Sequence, residues 1–137
     1  MGKNSTKIHN TQRLLQKQLK VFVKTMGVEA LNHFKGSFRN QGFTNTVLRK
    51  WTGRKRQERG RQRAILVKTG RLKRSVRVVR KTLNSVTLGS DVPYAIVHNE
   101  GQGKMPKREF IGDSKKLEKL LIKELNKKVL NAFKQFK

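Results

Sequence analysis

Cysteine is absent from the 137 residues, which excludes disulfides and thiolate zinc sites and allows a reducing compartment. Acid is scarce. Eight Asp and Glu stand against 34 Lys and Arg, for a formal net charge of +26. A catalytic metal needs several donors converging at fixed geometry, and eight scattered acids offer no such cluster. No apolar run approaches the ~18 residues of a membrane span. The start, Met1 to Lys7, lacks the apolar centre of a signal peptide. Hydrophobic residues make up 34% of the chain, below the usual ~45–50% even when the 11 glycines are counted with them. The core is therefore expected to be thin, with surface left over for a partner.

What is abundant is positive charge. Self-repulsion on this scale disfavours an isolated compact monomer, so an anionic partner is implied: nucleic acid, an acidic protein surface, or both. The length fits one domain, residues 1–137. No internal repeat breaks it up.

Periodicity sets out the elements. Asn10 or Thr11 suits a helix N-cap, and Leu15, Leu19, Phe22, Met26, Ala30, Phe34 and Phe38 follow at spacings of three and four. That stripe predicts a helix of nearly thirty residues, about 45 Å long. Gly27 is placed to kink or split it, and Gly42 to end it. From Arg49 to Arg63 the pattern dissolves into RKWTGRKRQERGRQR, which reads as a basic, flexible loop over about 49–63. Val76, Val78 and Val86 to Leu88, around Asn84-Ser85, predict a hairpin of roughly 75–82 with 85–90. Pro93 suits the first turn of a short helix carrying Tyr94, Ala95, Val97 and His98. Arg108 to Ile111 is read as a third short strand. Asp113 or Ser114 caps a last helix whose stripe is Leu117, Leu121, Leu125, Val129 and Phe133, widened by Leu120 and Phe136. The class is α+β: a long N-terminal helix, a small antiparallel sheet with a hairpin, a short helix and a C-terminal helix.

Catalysis has little footing. His9, His33 and His98 are far apart, and no HExxH, GxSxG or Walker-type run exists. His98 and Glu100 could in principle serve as acid–base partners, and the better reading of His98 is an imidazole that holds a loop by hydrogen bonds. No cofactor is implied. The basic segment supplies the candidate contact residues: Arg49, Lys50, Trp51, Arg54, Lys55, Arg56, Arg59, Arg61 and Arg63. Arg and Lys neutralise phosphates and Trp51 could stack on a base. No recognition helix or zinc finger is present, so a nucleic-acid contact would be non-specific. An acidic protein surface and a solvated loop are the other two readings.

Three motifs add a resemblance. Leu66-Val67-Lys68-Thr69-Gly70-Arg71-Leu72-Lys73-Arg74-Ser75-Val76 resembles a pattern of the bacteriophage virion morphogenesis family of tail completion proteins. Leu88-Gly89-Ser90, then Pro93-Tyr94-Ala95-Ile96-Val97-His98-Asn99-Glu100-Gly101, is similar to its second signature. Met105-Pro106-Lys107-Arg108-Glu109-Phe110-Ile111-Gly112 is similar to the third. Order and spacing fit over about 45 residues, and the flanking helices fit in type. Glu109 stands where the family usually has Pro, Asn99 replaces a frequent Gln, and the 49–63 stretch is more basic than the family's linker.

The resemblance implies a structural virion protein, not an enzyme. It would act in tail completion or head–tail joining, as a homo-oligomeric ring in the neck, with six copies as the family's expectation. Its partners would be portal-side connector and tail proteins, with possible non-specific contact to packaged double-stranded DNA and none to membrane. It would reside at the head–tail junction after assembly in the bacterial host cytoplasm. The alternative is a non-specific nucleic-acid-binding protein of ribosomal or nucleoid type. Structural roles fall to Gly70, Leu72, Ser75, Gly89, Pro93, Tyr94, His98, Gly101, Pro106 and Phe110. Several are physically apt apart from any family: the glycines fall at element ends, and Tyr94 joins an apolar ring to a polar tip.

The charge imbalance makes a first prediction. The isolated chain should stay dispersed at high salt and self-associate at low salt when a polyanion is added, as sedimentation across a salt series would record. A monomer indifferent to salt that also fails to join neck proteins would contradict the assembly reading.

Overall fold

The computed structural model describes residues 2–55 and 63–135. The elements are α1 (Gly2–Asn40), β1 (Gly42–Thr44), β2 (Leu48–Lys50), α2 (Arg71–Ser75), β3 (Arg77–Lys81), β4 (Val86–Gly89), α3 (Ala95–Glu100) and α4 (Lys115–Lys134). The architecture is α+β, with two separate two-stranded antiparallel sheets. None of the described helices is long and apolar enough to cross a membrane.

Helix α1 has 39 residues and is about 58 Å long. It begins well before the expected cap at Asn10 or Thr11. The hydroxyls of Thr6 and Thr11 donate to the carbonyls of Gly2 and Lys7 one turn back, so these residues are satisfied inside the helix instead of capping it. Gly27 does not interrupt the helix either. It is buried under the β3–β4 hairpin, and a Cβ there would lie 3.4 Å from Val86 Cγ1 and 3.6 Å from Val78 Cγ2. Its role is close approach of a sheet.

The helix ends at Gln41, not through a left-handed Gly42. Gln41 takes φ 54°, and its side-chain amide donates to the carbonyls of Phe38 and Ile65 and accepts from the Ile65 N–H. Those bonds hold a non-glycine residue in the left-handed region. Gly42 then enters β1, where a Cβ would come within 2.8 Å of Lys50 Cα.

The β1–β2 hairpin was not expected. It pairs Gly42 with Lys50, Phe43 with Arg49 and Thr44 with Leu48. The first residues of the basic segment are therefore part of the fold: Arg49 and Lys50 are strand residues, and Trp51 is 8% exposed, while residues 56–62 lie outside the described residues. Trp51 packs edge-on against Phe38, centroids 5.8 Å apart, and Phe38 meets Phe110 at 5.2 Å. With Phe34, Phe43, Leu72, Val76, Val92, Ala95 and Leu117 these rings form the core.

The β3–β4 hairpin matches expectation. Arg77 pairs with Gly89, Val78 with Leu88, Arg80 with Thr87 and Lys81 with Val86, with a bulge between Val78 and Arg80. Residues 108–111, expected as a third strand, pair with no sheet. Side chains hold them instead. Asn99 Oδ1 accepts from the N–H groups of Phe110 and Ile111, and Asn99 Nδ2 donates to the Ile111 carbonyl.

Helix α4 starts at Ser114, whose Oγ accepts from the Leu117 N–H at 3.2 Å and donates to the Thr44 carbonyl at 2.8 Å. Asn45 Oδ1 accepts from the Lys115 N–H, and its carbonyl accepts from the Lys116 N–H. The turn of the first hairpin thus satisfies orphan donors of the last helix. Helix α4 lies along α1, and Leu15, Leu19 and Phe22 face Leu125 and Val129 across a shallow groove. The C-terminal part of the expected stripe stays outside the core: Phe133 is 57% exposed. Phe136 lies outside the described residues.

If Trp51 belongs to the core, Trp51→Ala should destabilise the fold by about 3–5 kcal/mol. Arg49→Ala, two residues away on an exposed strand, should change stability by no more than about 0.5 kcal/mol. Urea denaturation of both variants measures the contrast. Equal, small effects would return Trp51 to a surface loop.

Candidate functional site

The basic residues singled out in the sequence do not share one fate. Arg49 and Lys50 are exposed on β2, with Lys50 Nζ donating to the Asn40 carbonyl at 2.7 Å. Trp51 faces inward and donates its indole N–H to the Glu109 carbonyl at 2.7 Å, so its ring has no face left for stacking on a base. Arg54 donates to the carbonyls of Arg63 and Ala64, drawing the two ends of the 55–63 segment together. Lys55 and Arg63 are exposed. Arg56, Arg59 and Arg61 lie outside the described residues.

The motif residues fall at turns, helix ends and core contacts of the fold. Gly70, at φ 70°, turns the chain into α2, where Leu72 is buried. Ser75 Oγ donates to the Leu72 carbonyl and shares a hydrogen bond with Ser90 Oγ, joining α2 to the end of β4. Gly89 has Val79 Cγ2 only 3.0 Å from where a Cβ would stand. Pro93 is exposed, just ahead of α3. Gly101 ends α3 at φ 72°, and a Cβ there would meet the Lys107 backbone nitrogen at 2.7 Å. Pro106 is half-buried and Phe110 is 1% exposed.

Tyr94 is more open than a core aromatic, at 41% exposed, and touches His98 edge-on at 6.0 Å between centroids. The expected clasp by the His98 imidazole is not made. Its Nδ1 is buried with no hydrogen-bond partner among the described residues. The backbone does the holding: the His98 carbonyl accepts from the Arg108 N–H at 2.8 Å. Burial, then the neighbouring Arg108, holds the His98 pKa below its ordinary value.

Two residues that sequence reasoning passed over organise this part of the fold. Asn99 makes the three hydrogen bonds to Phe110 and Ile111 described above, which a plain family substitution did not suggest. Arg108 is 6% exposed, its Nε donating to the Thr52 carbonyl at 3.1 Å and a terminal nitrogen to the Gly53 carbonyl at 3.2 Å. A buried cation placed on carbonyls is a tether for the strand leaving β2. Glu109 uses its carbonyl toward Trp51, which a proline at that position would equally supply.

Some residues of both groups, among them Arg54, Lys55, Leu72, Tyr94, His98 and Pro106, line an open cleft of about 800 Å³. Arg54, Lys55, Lys68, Arg71 and Lys104 line it together with Arg108, and among the described residues no Asp or Glu does. The Glu100 carboxylate accepts from its neighbour Asn99 at 2.7 Å. Among the described residues, no three His, Asp or Glu side chains gather as a metal site.

The chain matches the model of the phage virion morphogenesis family over residues 5–130, nearly its whole length. It belongs to that family, a class of structural proteins that build the phage particle. No curated protein and no solved structure matches it.

The second histidine of interest makes a pH prediction. His33 Nε2 bonds to the Thr44 carbonyl at 3.1 Å, and burial holds its pKa below 6.5 despite that bond, with Lys116 adding to the depression. The unfolded chain then binds a proton more readily than the folded one. Stability is full above pH 6.5 and is lost as pH falls through the lowered folded value. His98 acts in the same direction. Melting followed from pH 8 to 5 should show a decline below about pH 6.5, and His33→Gln should flatten it. An unchanged profile in that variant would remove His33 as the cause.

Proposed function

We propose that the protein acts at the head–tail junction of a tailed bacteriophage, in tail completion or head–tail joining, as a homo-oligomeric ring in the neck. Membership of the phage virion morphogenesis family carries the reading. The three motifs support it from the other side, because they sit at turns, caps and core contacts and not around a reacting centre. The work is assembly: copies first join one another, then the ring docks to portal-side and tail-side proteins. Six copies is what the tail completion resemblance implies.

A ring needs two different surfaces that meet head-to-tail. The chain has apolar surface to spare on both long helices: Val21 and Val28 on α1, Ile122 and Leu130 on α4, each 40–60% exposed. The exposed cations on β2 and on the β3–β4 hairpin suit a second contact, with packaged double-stranded DNA passing the ring. Such a contact is sequence-blind and weakens with salt. A ribosomal or nucleoid role would use the same cations without the ring.

The test is made in infected cells. Phage lacking the protein should leave filled heads and finished tails unjoined, as negative-stain images would show. Ile122→Glu with Leu130→Glu should keep stability within about 0.5 kcal/mol, since both sites are exposed, yet strongly lower particle yield. Normal particles without the protein, or its sedimentation with ribosomes, would overturn the neck reading.

A further inference from the structure

The cleft described above combines two chemistries that neither ring contacts nor DNA contacts require together. Its rim is cationic: Lys68, Arg71 and Lys104 are exposed, with Arg54 and Lys55 on the far side. Its floor is apolar, built from Ile65, Leu66, Leu72 and Pro106, with the exposed Met105 and the Tyr94 ring at the edge. The ion pairs among the described residues join Arg77 to Asp91 and Lys107 to Glu109, and neither uses a rim cation. Leu66 adopts φ 60°, a left-handed conformation that costs a branched apolar residue about 1–2 kcal/mol. Strain of this kind gathers at ligand clamps.

His98 stands at a wall of the cleft, but its Nδ1, unpartnered among the described residues, is buried out of a ligand's reach, so the rim and the floor define the occupant. Carboxylates suit the rim, and an aliphatic or aromatic side chain suits the floor.

We propose that this cleft is the docking site for an acidic peptide segment of another protein, one that carries an apolar or aromatic anchor among its carboxylates. A second copy of the chain does not fit, since no two of its eight acids are adjacent. Duplex DNA fits poorly, because a convex rod of phosphates meets exposed cations and has nothing to place on an apolar floor. The inference goes beyond the neck reading: a ring could form with the cleft idle, and the cleft could hold an acidic segment whatever the ring size.

The experiment uses the full chain at near-physiological salt, with fluorescence anisotropy of three probes: poly-glutamate, a random glutamate–tyrosine copolymer and a short DNA duplex. The copolymer should bind at least about tenfold tighter than poly-glutamate, the scale of one buried aromatic ring. Lys68→Glu with Arg71→Glu should weaken the copolymer about tenfold or more. Arg80→Glu with Lys81→Glu, the same charge change on the outer hairpin, should weaken it no more than about twofold. Met105→Ser should reduce the preference for the copolymer over poly-glutamate. Lys104→Glu repeats the rim test should the double variant melt early. Equal losses from rim and hairpin variants would make the attraction one of bulk charge and overturn the site. So would a copolymer no tighter than poly-glutamate. A duplex that displaces the copolymer and shares its sensitivity to the rim variant would make the cleft a phosphate site, and the peptide would be wrong.

Discussion

The fold depends on the two ring contacts of Phe38, with Trp51 on one side and Phe110 on the other. Phe38 comes from the end of the long helix, Trp51 from the position just after β2, and Phe110 from the loop before the last helix. Their burial brings together three parts of the chain that have little else to hold them, because the two sheets are small and do not join. Each apolar contact is backed by a polar one. The Trp51 indole donates to Glu109, Arg108 donates to Thr52 and Gly53, and Asn99 fixes the backbone on both sides of Phe110. A thin core of this kind is stable only where its buried polar groups are paired.

The same arrangement explains how so much charge is carried. Among the described residues the cations lie outside the aromatic cluster, except Arg108, and that one sits on carbonyls instead of on a carboxylate. With few acids available, repulsion is relieved by distance and by solvent in the free chain. In a particle, anionic neighbours would relieve it further. The family membership and the charge both agree with the proposal of a particle component that docks against other subunits.

Much of the local structure was legible in the sequence. The apolar stripes of the two long helices, the Asn84-Ser85 turn between β-branched runs, the short helix after Pro93 and the Ser114 cap all follow from patterns of a few residues. The three motifs were legible as a unit, and their glycines at 70, 89 and 101 stand where left-handed backbone or close approach demands them. Less visible was the β1–β2 hairpin. Its strands have three residues each, and Leu-Arg-Lys carries no alternation because β2 is exposed on both faces. Trp51 was misjudged for a related reason. Its sequence neighbours are basic and polar, and only Phe38 and Phe110, distant in sequence, make its position a core one.

The sequence by itself determined the class of fold, the placing of the helices, the hairpin over residues 77–89 and the family, since these rest on periodicity, turn chemistry and short ordered motifs. Tertiary structure alone decided which basic residues face a common cleft, that Gln41 and not Gly42 ends the first helix, and that Asn99 replaces a third strand. The physical reason is the same in each case. A side chain's partners across the fold are set by where the backbone brings distant segments together, and no local pattern encodes that distance.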